Sequence, residues 1–429
     1  MNEQGSRWMR LDNAAKIYPA AKRRNWSNVF RLSATLSEQV DIDLLSAALE
    51  RVVKRFPSIA VGLRRGLFWY YLEEIEAPPP VRPDGPFPNS RMTMRDIRKC
   101  AFRVLCYQNR VAVEFFHALT DGNGGLVFLK TLLAEYLTRR YPIEIPATDG
   151  VLDRTEDPQP EELEDSFLKY GGDVSASRRE PDSYRLRGTP ERDGFLHITT
   201  GILDVNEALA AAKKRGVSMT TFLASALLVS IAEIQAEELP RRRRKPVKVL
   251  IPVNLRKLFD SRTLRNFVLY ITPGITPRMG DYTFEETLKS VHHQMGMELT
   301  DKQMGSRITA NVRAEQSLLL KIMPLFVKNL AMKMAFNLVG EKKSCLSFSN
   351  LGAVTLPESM HPYVTRMDFV LGAQATRPNN CGVLSYGGKL YISFIRNIRE
   401  PTLEHRFFTF LVKNGLHVTI ESNQKEEGI

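Results

Sequence analysis

The sequence predicts a two-domain protein of mixed strands and helices. Three observations carry this. The chain has 429 residues, beyond the roughly 250–300 at which a single core usually splits. Alternating apolar strands and helical apolar stripes run through it twice, on either side of a stretch of different composition. The regular strand-helix alternation of a dinucleotide-binding sheet is missing, since no G-x-G-x-x-G follows a strand and no P-loop occurs.

The elements follow in order. Residues 28–38 alternate as a first strand. Asp41 or Asp43 caps a helix that turns Leu44, Leu45, Ala48, Leu49 and Val52 to one face and stops before Pro57. Residues 59–76 read as a hairpin with Gly66 near its turn, and the proline-rich stretch to Pro88 as an extended loop. Residues 98–107 and 110–116 form a second hairpin around Gln108-Asn109. A helix from about 124 to 140 turns Leu126, Leu129, Leu133 and Tyr136 inward. Periodicity then fades over 142–195, which is rich in Pro, Gly, Asp and Glu. The expected division is therefore 1–145, a crossover over 146–195, and 196–429.

The second half starts with a strand at 195–203 and a helix from Asn206 to Lys214 that Gly216 ends. Thr220 caps the next helix, apolar at Phe222, Leu223, Ala226, Leu227 and Ile231. A strand at 246–253, a helix at 284–299 and one or two helices over 314–339, broken at Pro324, come next. Strands near 345–349, 366–372, 382–386 and 389–396 follow, the last two joined by Gly387-Gly388. A helix between Arg399 and Asn414 and a strand at 417–420 complete the series.

Composition narrows the function. No run of about 18 uncharged apolar residues exists, so no transmembrane helix is expected. Met1 to Trp8 lacks the apolar core of a signal peptide, which predicts a cytoplasmic protein. Cys100, Cys106, Cys345 and Cys381 show no metal-ligand spacing and read as free thiols, with no metal site. The net charge of +12 attracts anions, either nucleic acid or a phosphorylated cofactor. It is dispersed except at Arg241-Arg242-Arg243-Arg244-Lys245, which reads as a solvated loop. No nucleic-acid-binding motif accompanies it, so nucleic acid is not an expected partner.

Chemistry concentrates at Phe116-His117-Ala118-Leu119-Thr120-Asp121-Gly122. This segment joins the strand ending near Phe116 to the helix that follows. Of seven His, only His117 has Asp four residues later. Average usage gives about 0.02 chance matches to H-x-x-x-D-G in such a set. Acyl transfer from a thioester to an alcohol needs a base for the hydroxyl proton and a donor for the tetrahedral oxyanion. An imidazole held at a strand exit suits the first task. Asp121 can cap the helix or pair with a distant cation, and Gly122 permits a tight turn beside the ring. No G-x-S-x-G elbow and no H-E-x-x-H offers a rival mechanism.

The His117 segment resembles the H-x-x-x-D-G motif of the CoA-dependent acyltransferase superfamily, which includes chloramphenicol acetyltransferase, BAHD acyltransferases and condensation domains. Two later stretches are similar to the same group. Pro252-Val253-Asn254-Leu255-Arg256 with Asn266-Phe267 looks like its V-N-x-R … G-N region. Ser349-Asn350-Leu351-Gly352 with Asp368-Phe369-Val370-Leu371-Gly372 looks like the region of the D-F-G-W-G signature. Leu11 to Pro19 is similar to microbial alcohol acetyltransferase-like proteins.

The resemblance implies two chloramphenicol-acetyltransferase-like α/β (α+β) domains with mixed sheets and a tunnel between them. His117 would be the general base, with Asp121 structural and paired to Arg256. Asn254 and Asn266 would support that pair. Ser349 and Asn350 are the oxyanion candidates, and Asp368 and Gly372 belong to a structural motif. Acetyl-CoA or another acyl-CoA would be a cosubstrate, with no tightly bound cofactor and a small alcohol or amine as acceptor.

Three readings of function lead, with a basic nucleic-acid binder a distant fourth. The first is an acyl-CoA-dependent O-acyltransferase with direct attack in a ternary complex. The second is a long-chain or acyl-carrier-protein-dependent enzyme of the same class. The third is a non-catalytic binding module. The Met-rich, basic segment Leu318 to Phe336 reads as core packing, a flexible lid over an apolar acceptor, or a helix in peripheral contact with a membrane.

Overall fold

The computed structural model describes residues 8–21, 28–175, 180–191, 194–317, 320, 322–335, 342–374 and 377–424. Its strands are β1 (Trp8–Arg10), β2 (Val29–Leu36), β3 (Val61–Arg65), β4 (Tyr70–Glu74), β5 (Arg82–Pro83), β6 (Phe102–Tyr107), β7 (Arg110–Phe116) and β8 (His197–Asp204). The second half adds β9 (Val247–Asn254), β10 (Val268–Ile271), β11 (Gly274–Ile275), β12 (Leu346–Ala353), β13 (Val364–Val370), β14 (Asn379–Tyr386), β15 (Lys389–Arg396) and β16 (Thr419–Ser422).

Two large sheets organise the chain. The first runs β13-β2-β7-β6-β5, and the second runs β10-β9-β12-β14-β15-β8-β16 with β11 on β9. Both are mixed: β5 is parallel to β6, and β12 is parallel to both β9 and β14. A third, small sheet of order β1-β4-β3 stands apart. Two hydrophobic cores match the two large sheets. One gathers β2 and β7 with the Ile42–Arg55 and Gly122–Arg140 helices; the other surrounds the Met219–Glu238 helix. That last helix is long and apolar enough to cross a membrane by length and composition, yet most of it is buried inside the protein.

Strand β13 lies in the C-terminal part of the sequence but pairs antiparallel with β2, Asp368 opposite Ser33. The first sheet is therefore completed by the second half of the chain. A buried charge network fastens this edge. Glu114 of β7 accepts from Arg31 Nη1 at 3.0 Å, Arg103 Nε at 2.6 Å and the Asn89 amide at 2.7 Å. The Asn89 side chain in turn donates to the Leu371 carbonyl at 2.9 Å. Charges in mid-strand are tolerated here because each has partners.

Local signals explain most element ends. Asp41 caps Ile42–Arg55 by accepting from the amides of Asp43 and Leu44. Gln108 takes positive φ at the β6–β7 turn. Three expectations need correction. Ser218, not Thr220, caps the Met219–Glu238 helix, because its hydroxyl accepts from the Thr221 amide. Arg98 and Lys99 end a short Met94–Lys99 helix closed by a Thr93/Asp96 capping box, so β6 starts only at Phe102. The helix expected from 124 begins at Gly122.

The Met-rich segment corrects a fourth. Its Leu325–Ala335 helix buries Leu325 and Lys328 but leaves Phe326, Leu330 and Met334 exposed, so core packing describes one face only. Leu318, Leu319, Lys321 and Phe336 lie outside the described residues.

Candidate active site

His117 follows the last residue of β7, and its backbone N–H donates to the Asn28 carbonyl at 2.8 Å. The residue is thus still pinned to the start of β2 while its side chain leaves the sheet. The imidazole stacks on Tyr18, with centroids 4.6 Å apart and planes 15° apart. Phe30 meets it edge-on at 5.1 Å. The Nδ1 atom is buried with no hydrogen-bond partner among the described residues, while the residue as a whole keeps partial exposure. The nitrogen open to exchange is therefore Nε2. Burial holds the imidazole below its ordinary pKa; its own backbone, the Asp121 carboxylate and the Asn266 side chain pull the other way without prevailing.

Four residues on, Asp121 does two jobs with two oxygens. Oδ1 accepts from the amides of Asn123 and Gly124, both at 3.1 Å, which caps the Gly122–Arg140 helix. Oδ2 accepts from Arg256 Nη1 at 2.8 Å and from the Phe267 amide at 3.0 Å. One carboxylate therefore ends a helix of the first half and holds a loop of the second. Its side chain and that of Arg256 are both nearly covered. Arg256 spends its other donors on the same loop. Nε donates to the Thr263 carbonyl at 2.7 Å, Nη1 also to Asn254 Oδ1 at 3.1 Å, and Nη2 to the Arg265 carbonyl.

Around this latch the backbones approach closely. Thr120 Oγ1 donates to the Leu264 carbonyl at 2.6 Å. A Cβ at Gly124 would fall 2.2 Å from that same carbonyl oxygen, so the loop can seat only on glycine. A Cβ at Gly122 would sit 2.8 Å from Leu351 Cδ2, which places the end of β12 against the motif.

The sequence-predicted residues fall into three groups. His117, Asp121, Gly122, Asn254, Arg256 and Asn266 come together. Ser349 and Asn350 lie on β12 beside Leu351. The Asn350 side chain donates to Thr220 Oγ1 at 3.1 Å and accepts from the Gly352 amide at 2.8 Å, so it is largely engaged. Asp368 pairs with Arg366 on β13, and the Gly372 carbonyl accepts from Asn380 at 2.8 Å. Asp368 sits on the edge strand β13 and Gly372 just beyond it, and neither of these contacts reaches the His117 group.

Two contributors were not singled out by residue type. Tyr18 covers the imidazole, and Asp12 accepts from the Asn266 amide and side chain, each at 3.3 Å. Burial pushes the Asp12 carboxyl up to about 6, with the Arg265 guanidinium opposing. No spacing in the sequence links these residues to His117; the resemblance of Leu11 to Pro19 marks the segment, and its tertiary path brings it to the site. That segment also supplies Leu11 and Lys16 to a cavity of about 630 Å³, whose wall includes Trp8, Trp69 and Tyr70 but not His117.

Tyr18 acts on His117 through ring packing. Tyr18→Phe should keep kcat near wild type, since the stack needs the ring and not the hydroxyl. Tyr18→Ala should lower kcat by about tenfold or more by freeing the imidazole. Equal kcat in both variants would remove the positioning role.

No family model matches the chain, and no curated protein matches it. Solved structures do. Polyketide synthase associated protein 5 of Mycobacterium tuberculosis aligns with TM-score 0.60 at 16% identity, over 94% of this chain and 96% of its own. F. graminearum TRI101, solved with coenzyme A and deoxynivalenol, aligns with TM-score 0.63 at 11% identity, over 96% and 100%. The first condensation domain of the CDA synthetase gives 0.59 at 13%, over 96% and 97%. The chain has the fold of the CoA-dependent acyltransferases and condensation domains. Within this fold, the first sheet carries His117, and the β9–β10 connection brings Arg256 and Asn266 to it.

Proposed function

We propose that the chain is an acyl-CoA-dependent O-acyltransferase with His117 as its general base. The observation that carries this is a half-buried imidazole, sealed at Nδ1, kept uncharged by burial, and fixed at a strand exit by a loop latched through Asp121 and Arg256. In the proposed step, Nε2 takes the acceptor's hydroxyl proton as its oxygen attacks the thioester carbonyl carbon. The tetrahedral intermediate collapses with cleavage of the C–S bond. The imidazolium then returns its proton to the departing thiolate, giving ester and free CoA. Attack is direct, in a ternary complex. Ser349 is the favoured oxyanion donor because its hydroxyl keeps no hydrogen-bond partner among the described residues, whereas Asn350 is engaged.

The shared fold supports the reading, because TRI101 has been solved with coenzyme A. A net charge of +12 suits a phosphorylated thioester donor, whether free CoA or a carrier protein's arm. The reading includes action in the cytoplasm. Incubation with acetyl-CoA and a panel of alcohols and amines, followed by mass detection of acylated acceptor, checks it. An acceptor heavier by one acetyl group supports transfer. Hydrolysis without any acylated acceptor, for every acyl-CoA supplied, would contradict it.

The pH dependence follows from the direction of the His117 shift. A depressed pKa keeps the base uncharged through neutral pH, so kcat/KM should be flat there. It should fall only as pH drops through a midpoint below the ordinary histidine value. An acid limb centred above that value would contradict the account of the site.

A further inference from the structure

The helix Leu325–Ala335 and the β3–β4 hairpin are joined by polar contacts. The Leu325 amide donates to the Leu67 carbonyl at 3.1 Å, and Lys328 Nζ donates to the Phe68 carbonyl at 2.9 Å. The same ammonium sits 3.4 Å over the centre of the Trp69 ring, and the Asn329 side chain reaches the Tyr70 hydroxyl at 3.1 Å. Yet this well-fastened unit turns large apolar side chains outward. Leu67 is 76% exposed, Phe326 68%, Ile322 65% and Leu330 59%. Met334 continues the row, so Phe326, Leu330 and Met334 recur every four residues along one face of the helix. A folded protein seldom leaves such residues together in water without a use for them.

Charge identifies the use. From Ser317 to Gly340 the sequence holds Lys321, Lys328 and Lys333 and no Asp or Glu. From Val61 to Leu72 it holds Arg64 and Arg65 and again no acid, and Arg64 pairs with Glu73 just beyond. Arg64, Arg65 and Lys333 are exposed. Trp8, itself exposed, packs edge-on against Tyr71 on the same small sheet. Apolar side chains flanked by Trp, Tyr and the exposed cations Arg65 and Lys333 are the composition of a surface that sits in a lipid headgroup layer. A second copy of the chain would bring the same cations against these, which disfavours self-association.

We infer that the Leu325–Ala335 helix and the β3–β4 hairpin dock together on an anionic lipid surface, with Leu67, Phe326 and Leu330 entering the headgroup layer. This goes beyond the proposed acyl transfer and does not depend on it. Trp69 and Tyr70 face both this unit and the 630 Å³ cavity.

Flotation of the full chain decides it. Vesicles of phosphatidylcholine and phosphatidylglycerol in equal parts should carry the protein up, and pure phosphatidylcholine vesicles should bind it about tenfold less well. The triple variant Leu67→Ser/Phe326→Ser/Leu330→Asn should lose binding while keeping its thermal midpoint. Lys333→Glu should weaken binding to the mixed vesicles alone. No flotation with either vesicle, or flotation unchanged in the triple variant, overturns the inference. So does a dimer in sedimentation that the triple variant abolishes without any vesicle binding, since that assigns the patch to a second copy.

Discussion

His117→Ala is expected to lower acceptor-dependent thiol release by about 10²–10⁴-fold, the contribution of a general base. Nδ1 has no hydrogen-bond partner among the described residues, and the ring meets Tyr18 and Phe30 with the Asn266 side chain beside it. His117→Gln fills similar volume and should lose activity as fully, with a thermal midpoint close to wild type. Loss of activity in both, with folding intact, separates chemistry from packing. A rate within a few-fold of wild type in either variant would take His117 out of the mechanism.

Asp121→Ala carries the second large effect, and it falls on stability and rate together. The substitution removes the cap of the Gly122–Arg140 helix, worth about 0.5–2 kcal/mol. It also strands the Arg256 guanidinium, nearly covered, without its carboxylate, and breaking a buried pair in this way costs about 3–5 kcal/mol. With the latch open, the loop carrying Asn266 and Phe267 is free to leave the motif, and His117 loses its fixed setting. Asp121→Asn keeps an oxygen for the cap and should be milder. The double variant Asp121→Ala/Arg256→Met removes the stranded charge and should regain part of the stability lost in Asp121→Ala. Wild-type melting and rate in Asp121→Ala would sink the latch.

Much of this was legible from local pattern. The strand before His117, the helix after it and the hairpin at Gln108-Asn109 follow from alternation and turn chemistry within a few residues. Both fates of Asp121, helix cap and partner of a distant cation, followed from its place before a helix in a buried turn.

What stayed hidden is what depends on distant parts of the chain. Periodicity finds a strand but not its partner, so β13 gave no sign of joining the first sheet. No pattern in the sequence marks Arg31, Glu114 and Arg103 as charges that the fold buries against one another. Tyr18 and Asp12 reach the site only because the N-terminal segment crosses to the β9–β10 connection. Gly124 looked like one more glycine in a turn, and its necessity comes from the Leu264 carbonyl that lies where its Cβ would be. The Asp301–Gln316 helix went unread because its apolar positions, Met304, Ile308 and Val312, are diluted by polar neighbours.

The central claim is that a thioester acyl group passes to an acceptor hydroxyl with His117 taking the proton. Free-thiol release from acetyl-CoA, measured with and without an alcohol panel for wild type and His117→Ala side by side, addresses it most directly. The account predicts release that requires the acceptor in wild type and is lost in the variant. Release that is equal in the two proteins, or that ignores the acceptor, would contradict it.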